Sequence, residues 1–282
     1  MKTGTLYIVA TPIGHLDDIT LRAVETLKTV DLVAAEDTRM AQRLLHHLGI
    51  RVELISFHNY NEASRAPSLL EKLQQGVQMA LISDAGTPLI NDPGFMLVHE
   101  ARRLGIPVVP IPGACAAIAA LSVSGLPANR FSYEGFLPKK APERRRFLHA
   151  LQRESRTMIF YESPHRVVST LEMMCEVFGE ERQGCLAKEL TKIHETVVQQ
   201  SLAGLLSWCQ QHPDRIRGEF VLLLEGCSNQ ERMDHDWSAE SIMKLLLPHM
   251  KTRTAAAVAA QLTGRQRNEL YQLALELTPK ES

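Results

Sequence analysis

Residues 78–94 read QMALISDAGTPLINDPG, and in this stretch a buried strand is followed by a turn and the start of a helix. Met79 to Ile82 form a short apolar run of the kind buried on both faces of a parallel sheet. Gly86 can adopt a positive φ and let the backbone approach a ligand, whereas Pro88 cannot continue a strand. Asp92-Pro93 favours a helix that begins at the proline, with the aspartate as its N-cap. Open α/β sheets bind ligands at such strand ends, although the turn also suits a simple connection from strand to helix.

Three more strand-like runs in the first half of the chain are each followed by a polar cluster or a turn. Strand-like residues 5–10 and 32–35 are followed by the polar clusters TPIG and EDTR. Residues 107–111 lead into PGACAA (112–117), where a glycine turn opens a helix whose free N–H groups favour an anion or another acceptor. Small residues there would equally allow close packing of the helix against the sheet. Helices alternate with these strands, which predicts a parallel, doubly wound sheet.

The second half repeats this alternation. Its strand-like runs are residues 131–136, 158–161, 184–187, 195–200 and 220–224. We therefore expect an α/β protein with two α/β domains and a small C-terminal helical domain. Their expected bounds are 1–113, 114–227 and 238–282, with residues 227–237 as a polar linker to the last domain.

The C-terminal segment predicts a helix-turn-helix. Helices fit residues 239–250, 254–262 and 265–277, and Thr263-Gly264 forms the turn between the last two. Basic side chains at the helix starts could hold phosphates, namely Lys251, Arg253, Arg265 and Arg267. A role in packing alone is the alternative.

A second basic run, KKAPERRR, occupies residues 139–146. It follows a proline and borders the candidate cleft, so we expect a basic loop that could contact nucleic acid. A run of charges is also typical of an ordinary solvated surface, and the sequence leaves both interpretations open. Its cations are Lys139, Lys140, Arg144, Arg145 and Arg146.

Composition narrows the functional classes. The chain has 282 residues, is 45% hydrophobic and carries a net charge of −1, so any binding to nucleic acid must depend on local patches. Its five cysteines form no CxxC pair and have no metal-like spacing with histidine, which indicates reduced cytosolic thiols and no metal site. We expect a soluble, cytoplasmic protein without a leader or a membrane span.

Several common catalytic motifs are missing from the sequence. It contains no GxxxxGK[ST], no GxGxxG after a strand, no HExxH and no GxSxG. P-loop hydrolases, zinc hydrolases and serine hydrolases therefore lose support.

A set of motifs distributed along the chain resembles one family. In order they are LYIVATPIG, AAEDTR, LISDAGTPLINDPG, IPGACAAIAALSVSGLP, FSYEGFLP, IFYESPHR, AKELTKIHET and RGEFVLLLEG. In this order and spacing they look like the ribosomal RNA small subunit methyltransferase I family, 2′-O-methyltransferases of the tetrapyrrole-methylase (class III S-adenosylmethionine methyltransferase) type. The resemblance covers essentially the whole chain. It implies two α/β domains that hold a folded S-adenosylmethionine, and a homodimer that methylates a cytidine ribose in the decoding region of 16S rRNA within the 30S subunit.

The resemblance also implies which residues contact the cofactor. One side of the cleft would be formed by three segments that follow strands, and the other side by residues of the second domain. The first set is Thr11, Pro12, Asp84, Gly86, Thr87, Pro88, Ile90, Cys115, Ala116 and Ala117. The second set is Phe160, Tyr161, Lys188, Glu219 and Phe220.

The reaction requires help with a proton, because a ribose hydroxyl is a poor nucleophile until it is deprotonated. General bases typically contribute a factor of about 10² to 10⁴. Candidate residues at strand ends are Glu36, Asp37, Asp84 and the pair Lys188-Glu189. Asp92 is a further candidate, although we expect it to serve as an N-cap.

Two rival functions stay open. A small-molecule methylase of the tetrapyrrole type could use the same scaffold, but Thr87 stands between Gly86 and Pro88 where such enzymes have aspartate. The basic segments would also have no purpose on a small substrate. A non-catalytic ribosome assembly factor that keeps the fold is the second rival.

Overall fold

The computed structural model describes residues 3–227 and 239–277. Apart from Cys227, the predicted linker therefore lies outside the described residues. In the described ranges, no helix has both the length and the apolar character needed to cross a membrane. All five cysteines are free thiols.

The first five strands form one parallel sheet with the order β3-β2-β4-β1-β5, which confirms the predicted parallel arrangement. These strands are β1 (Leu6–Val9), β2 (Leu32–Ala35), β3 (Glu53–Ser56), β4 (Met79–Ile82) and β5 (Val108–Ile111). The helices of this half are α1 (Leu21–Thr29), α2 (Thr38–His47), α3 (Glu62–Gln74), α4 (Phe95–Arg103) and α5 (Ala116–Val123).

Strand β4 is covered on both faces, as its apolar run predicts. Met79 and Leu81 pack in one apolar cluster with residues of α3 and α4. Ala80 and Ile82 pack in a second cluster with residues of α1 and α2. Alternate residues of a strand point to opposite faces, so the two clusters show that the sheet is doubly wound.

The second sheet is mixed, with the order β6-β7-β10-β8-β9. Only β6 and β7 run parallel, and the other neighbours are antiparallel. Its strands are β6 (Phe131–Phe136), β7 (Thr157–Glu162), β8 (Gln183–Lys188), β9 (Thr196–Ser201) and β10 (Phe220–Leu224). Its helices are α6 (Ala141–Ala150), α7 (Val167–Phe178) and α8 (Leu202–Gln211). Both sheets belong to one compact unit, which consists of residues 3–149 and 157–225.

The second compact unit consists of residues 150–156, 226–227 and 239–277. Three helices build it, namely α9 (Ala239–Leu246), α10 (Thr252–Thr263) and α11 (Arg267–Leu277). Gly264 ends α10 in the left-handed conformation with φ +70°, at the predicted turn. Met243, Ala256 and Leu270 are fully buried where the three helices pack together.

The start of α4 differs from the prediction. The helix begins at Phe95, and its N-cap is Gly94 with φ +132° rather than Asp92. Glu62, at the start of α3, supplies the acceptor instead, because its Oε1 receives the N–H groups of Gly94 at 3.1 Å and Met96 at 2.9 Å. The N-cap assignment to Asp92 was therefore wrong, since a carboxylate from another helix satisfies these donors.

Replacement of Glu62 by alanine should lower the free energy of unfolding by about 0.5 to 2 kcal/mol, the usual cost of losing a helix cap. Glu62→Gln keeps an acceptor oxygen and should lose less. Urea unfolding monitored by circular dichroism measures both. Glu71→Ala, an exposed carboxylate on the same helix, is the matched control and should change stability by less than about 0.5 kcal/mol. Equal effects of Glu62→Ala and Glu71→Ala would contradict this account of the helix start.

Candidate active-site cleft

A cleft of about 410 Å³ opens between the first sheet and the second. This volume lies within the range of about 300 to 1,000 Å³ that is typical of small-molecule and cofactor sites. The turns after β1, β4 and β5 form one wall, and residues at the ends of β6, β7 and β10 form the other. The lining residues are Ile13, Asp84, Ala85, Gly86, Thr87, Ile90, Asn91, Asp92, Cys115, Ala116, Phe136, Tyr161, Glu162, Ser163, Pro164, Gly218, Glu219, Phe220 and Val221.

Two backbone hydrogen bonds tie the turns after β1 and β4 together. The N–H of Thr11 donates to the carbonyl of Gly86 at 2.8 Å, and the N–H of Gly86 donates back at 3.1 Å. Gly86 has φ +84°, and a Cβ there would lie 3.3 Å from Cγ2 of Ile13. A side chain at this position would therefore be strained and would press on the other turn.

The same turn is also tied to α5 and to the second sheet. The Thr87 hydroxyl donates to the carbonyl of Ala114 at 3.0 Å, and the Asn91 amide donates to the Tyr133 hydroxyl. Leu89 and Asn91 have φ +72° and +70°. Non-glycine residues adopt this conformation at a cost and persist in it where the surroundings hold them, often at functional sites.

Tyr161 joins the second sheet to α5. Its hydroxyl accepts the N–H of Ala117 at 3.1 Å, in the first turn of that helix. The rings of Tyr133 and Phe136 meet the Tyr161 ring edge-to-face, at centroid distances of 5.1 and 5.6 Å. Burial raises the pKa of Tyr161 to about 12, so this phenol stays neutral at physiological pH.

Glu189 holds the segment that enters β10. Its Oε1 accepts the N–H of Glu219 at 2.9 Å and the Lys192 ammonium at 3.0 Å. A Cβ at Gly218, which has φ +82°, would lie 2.2 Å from that oxygen. Partial burial acts to raise the pKa of Glu189, but these hydrogen bonds and the charge of Lys192 hold it below its usual value. Glu189 is therefore ionised, holds the segment before β10 in place and lies outside the cleft wall. These contacts argue against the role of general base that we predicted for this residue.

Glu36 and Asp37 stand beside the cleft, next to Asp84. The N–H of Asp37 donates to Oδ1 of Asp84 at 2.9 Å. Burial, followed by the charges of Asp92, Asp84 and Asp37, raises the pKa of Glu36 to about 7. The hydrogen bond with the Arg39 guanidinium holds the pKa of Asp37 at about 2, so its carboxylate is committed to that ion pair.

Four carboxylates and no lysine, arginine or histidine occur among the described lining residues. They are Asp84, Asp92, Glu162 and Glu219. The buried Glu162 is neutralised by Arg166, whose Nη2 lies 2.7 Å from its Oε1. The wall as a whole is acidic, and it therefore favours a cationic group over an anionic one.

The structure brings most of the predicted cofactor residues into the wall, namely Asp84, Gly86, Thr87, Ile90, Cys115, Ala116, Tyr161, Glu219 and Phe220. The other predicted residues are buried behind it, namely Thr11, Pro12, Pro88, Ala117, Phe160 and Lys188. For Lys188, which is 5% exposed, the reason is strand alternation. Its neighbour Ala187 packs in the apolar cluster with Tyr161, so the Lys188 side chain points to the opposite face.

Other wall residues were absent from the sequence prediction. They include Ile13, Asn91, Phe136, Ser163, Pro164, Gly218 and Val221. The glycine before β10 was a usable signal for Gly218. The side-chain hydrogen bond of Asn91 with Tyr133 had no comparable signal, because it joins residues that are far apart in sequence.

The basic run at residues 139–146 is not a loop as predicted, because α6 begins at Ala141. The helical period places Arg144 on the same face as the buried Leu148, and Arg144 is only 5% exposed. Its Nη2 lies 3.4 Å from the Ser169 hydroxyl. Arg144 is therefore unavailable as a surface contact, whereas the other four cations of the run are exposed, namely Lys139, Lys140, Arg145 and Arg146.

In the second compact unit, the four predicted basic residues are exposed. Lys251 precedes α10 and Arg267 is the first residue of α11. Arg265 pairs with Glu269 at 3.3 Å. The predicted placement of these cations near helix starts is confirmed.

Two family profiles match the sequence. The profile described as Tetrapyrrole (Corrin/Porphyrin) Methylases matches residues 5–206. The profile described as RsmI C-terminal HTH domain matches residues 234–278.

Solved structures with related folds include three that cover 79% of this chain. Uroporphyrin-III-C-methyltransferase from Thermus thermophilus aligns with a TM-score of 0.57 at 22% identity over 94% of its length. A structure of that enzyme with S-adenyl homocysteine aligns with a TM-score of 0.56 at 19% identity over 97% of its length. Diphthine synthase aligns with a TM-score of 0.60 at 14% identity over 90% of its length. At these identities the likeness shows a shared fold.

Sequence relatives are much more similar to this chain. A protein of Escherichia coli O157:H7 is 52% identical over 97% of this chain and 95% of its own length. A protein of Pseudomonas aeruginosa is 51% identical over 98% of both chains. Both relatives are named ribosomal RNA small subunit methyltransferase I. The chain therefore belongs to the ribosomal RNA small subunit methyltransferase I family, within the tetrapyrrole methylases.

Proposed function

We propose that this protein transfers a methyl group from S-adenosylmethionine to the 2′-oxygen of a cytidine ribose in the decoding region of 16S rRNA. The acidic cleft at the strand ends is the observation that carries the proposal, together with the names of the close relatives. We further propose that the substrate is the 30S subunit, that the enzyme is a cytoplasmic homodimer, and that residues 238–282 form an RNA-binding domain.

The residues of the cleft fit S-adenosylmethionine. When bound, this cofactor supplies the methyl group from a sulfonium, which is a cation. Carboxylates such as Asp84 and Asp92 line the wall and would favour that charge. Apolar side chains, such as Ile13, Ile90 and Phe136, offer contact area for the rest of the molecule.

The chain contributes alignment more than covalent chemistry. Methyl transfer is an in-line displacement, and good alignment of reactants is worth about 7 to 11 kcal/mol in favourable cases. The bridge between Thr11 and Gly86 and the contact of Tyr161 with Ala117 fix the two walls before substrate arrives. These fixed contacts reduce the reorganisation that binding would otherwise require.

Charge distribution favours entry of a ribose over entry of a phosphate. The acidic wall repels phosphate groups, so the RNA backbone should stay outside while one ribose reaches the cleft. Exposed cations lie close in sequence to the wall residue Phe136, and we assign them to phosphates outside the cleft, namely Lys139, Lys140, Arg145 and Arg146. In the second unit, we assign the same role to Lys251, Arg253, Arg265 and Arg267.

Tritium transfer from labelled S-adenosylmethionine to 30S subunits from a strain lacking the enzyme tests the activity directly. Nucleoside analysis of the digested rRNA should place the label in 2′-O-methylcytidine. Tight binding to the subunit without any transfer of label would contradict the proposal and favour an assembly factor.

Replacement of Gly86 by alanine should weaken the binding of S-adenosylhomocysteine at least about tenfold, because the new Cβ meets Ile13 at the cleft wall. Isothermal titration calorimetry measures this affinity. Gly49→Ala is the matched control, since Gly49 also has a positive φ, +66°, but a Cβ there meets nothing within 4 Å. Both variants should lose about 1 kcal/mol of stability, and only Gly86→Ala should lose affinity. Equal affinity of the two variants would contradict the assignment of the Gly86 turn.

The double substitution Lys139→Ala with Arg146→Ala should weaken binding to the 30S subunit. It should also reduce the slope of log affinity against log salt by about two, because each phosphate contact contributes about one. Binding measured over a series of salt concentrations checks this. Arg51→Ala with Arg65→Ala removes the same charge from exposed positions elsewhere and should leave the slope unchanged. Equal slopes for the two double variants would show that α6 and the residues just before it do not contact the RNA.

A further inference from the structure

We propose that Tyr60 and Arg39 bind the substrate RNA beside the cleft, with the Tyr60 ring stacked on a base and the Arg39 guanidinium bound to a phosphate. The inference rests on the proposed methylation of 16S rRNA and deepens it, because both residues lie outside the set that lines the cleft. It identifies the surface over which the RNA strand reaches the target cytidine.

The first sheet brings these two residues to one edge. Strands β2 and β3 are parallel neighbours, and Ala35 is paired with Ser56 at their carboxyl ends. Arg39 and Tyr60 each stand four positions beyond that pair. The N–H of Phe57 donates to the carbonyl of Ala35 at 2.8 Å and holds the two strand ends together. Because neighbouring strands are only about 4.8 Å apart, both residues follow the same short stretch of the sheet edge.

This edge continues into the cleft wall. Strand β4 is the other neighbour of β2, and Asp84 after β4 lines the cleft. Oδ1 of Asp84 accepts the N–H of Asp37 at 2.9 Å, and Asp37 in turn accepts the Arg39 guanidinium at 2.6 Å. Arg39 is therefore linked to the wall through a single residue. A nucleotide bound at Arg39 would be close to one whose ribose enters the cleft.

Tyr60 presents an open ring on a fixed turn. It is 99% exposed, the highest value for a large hydrophobic residue within residues 3–227 and 239–277. The carbonyl of His58 accepts the N–H groups of Asn61 and Glu62, both at 2.9 Å, and Oδ1 of Asn61 accepts the N–H of His58 at 2.8 Å. The His58 ring meets the Tyr60 ring edge-to-face at a centroid distance of 6.1 Å. A tyrosine held in this way offers a flat surface at low entropic cost, which suits base stacking.

The Arg39 guanidinium has a donor to spare for a phosphate. Its side chain is 85% exposed. The ion pair with Asp37 uses Nε and Nη2, and Nη1 has no partner within the described part of the chain. Arginine is well suited to phosphate, because its planar fork of donors matches the oxygens of that group.

Helix α2 extends the positive charge away from the cleft. Arg43 lies four positions after Arg39, on the same face of the helix, and is exposed. Among the residues that the structure describes, Arg43 has no carboxylate partner and contacts only the Met40 sulfur, at 3.8 Å. The helix itself, Thr38–His47, contains no aspartate or glutamate.

The combination selects the kind of partner. An open aromatic ring beside guanidinium groups with free donors matches single-stranded RNA, whose bases stack and whose phosphates carry the charge. The positive charge of α2 is complementary to that polyanion and opposite in sign to the cleft wall.

Replacement of Tyr60 by alanine should weaken binding to 30S subunits by about 5- to 100-fold, the usual effect of losing one stacked base. The subunits come from a strain lacking the enzyme, and S-adenosylhomocysteine is present at saturation. Tyr60→Phe keeps the ring and should stay within about twofold of wild type. Phe131→Ala is the aromatic control, since Phe131 is 40% exposed at the start of β6, the end away from the wall residue Phe136. Tyr60→Ala should bind S-adenosylhomocysteine as wild type does in calorimetry, because Tyr60 does not line the cleft.

The phosphate contacts have their own readout. Arg43→Ala should reduce the slope of log affinity against log salt by about one. Arg51→Ala removes the same charge from an exposed position before β3, at the opposite edge of the sheet, and should leave the slope unchanged.

Cross-linking tests the position of the contact without measuring activity. Replacement of Tyr60 by p-benzoylphenylalanine, followed by irradiation of the complex with 30S subunits, should give cross-links to 16S rRNA close to the methylated cytidine. Primer extension locates them. The same probe in place of Phe131 should give none there.

Three results would overturn the inference alone. The first is a Tyr60→Ala variant that binds 30S subunits as tightly as wild type, and the second is a set of cross-links from position 60 far from the methylated cytidine. The third is a sedimentation velocity experiment in which Tyr60→Ala dissociates an oligomer formed by the wild type, because the ring would then pack against a second copy of the chain. A wild-type protein that transfers no methyl group to 30S subunits would overturn the proposed function as well.

Discussion

The antiparallel bridge between Thr11 and Gly86 is the contact on which the cleft depends. It locks together the turns that leave two neighbouring parallel strands, β1 and β4, at the edge of the sheet where ligands bind. From this fixed point the turn continues through Thr87 to the α5 loop and through Asn91 to the second sheet. Gly86 has a positive φ, and a Cβ there would lie 3.3 Å from Cγ2 of Ile13, so an added methyl group would strain the turn at this bridge.

The molecule separates its charges in a way that suits a cationic cofactor and a polyanionic substrate. The cleft wall has carboxylates and, among the described residues, no basic side chain. Exposed cations are found instead on α6 and the residues before it, and in the second unit near the starts of α10 and α11. This separation explains how a chain with a net charge of −1 could act on RNA.

Much of the fold could be predicted because local patterns determine it. Strand β4 has the bounds that its apolar residues predicted, and the same is true of β6 and β10. The antiparallel pairing in the second sheet could not be predicted, because strand order depends on contacts between residues far apart in sequence. The burial of Arg144 could not be predicted either, because we expected a loop at residues 139–146, whereas the structure has helix α6 there.

The cleft itself was predicted in part. Glycine and proline turns after strands located the wall at residues 84–90, but they could not exclude Lys188, whose direction depends on the pairing of β8. The role of Asp92 was misjudged for a similar reason. A good N-cap sequence was present, yet Glu62, thirty positions earlier in the chain, satisfies the helix start and leaves the aspartate in the cleft.

A crystal structure of the protein with S-adenosylhomocysteine would test most directly whether the cleft binds the cofactor. We predict that the ligand lies between the Gly86 turn and the end of β7, in contact with both walls of the cleft. A ligand bound elsewhere, or one that contacts only one of the two walls, would contradict this assignment of the cleft.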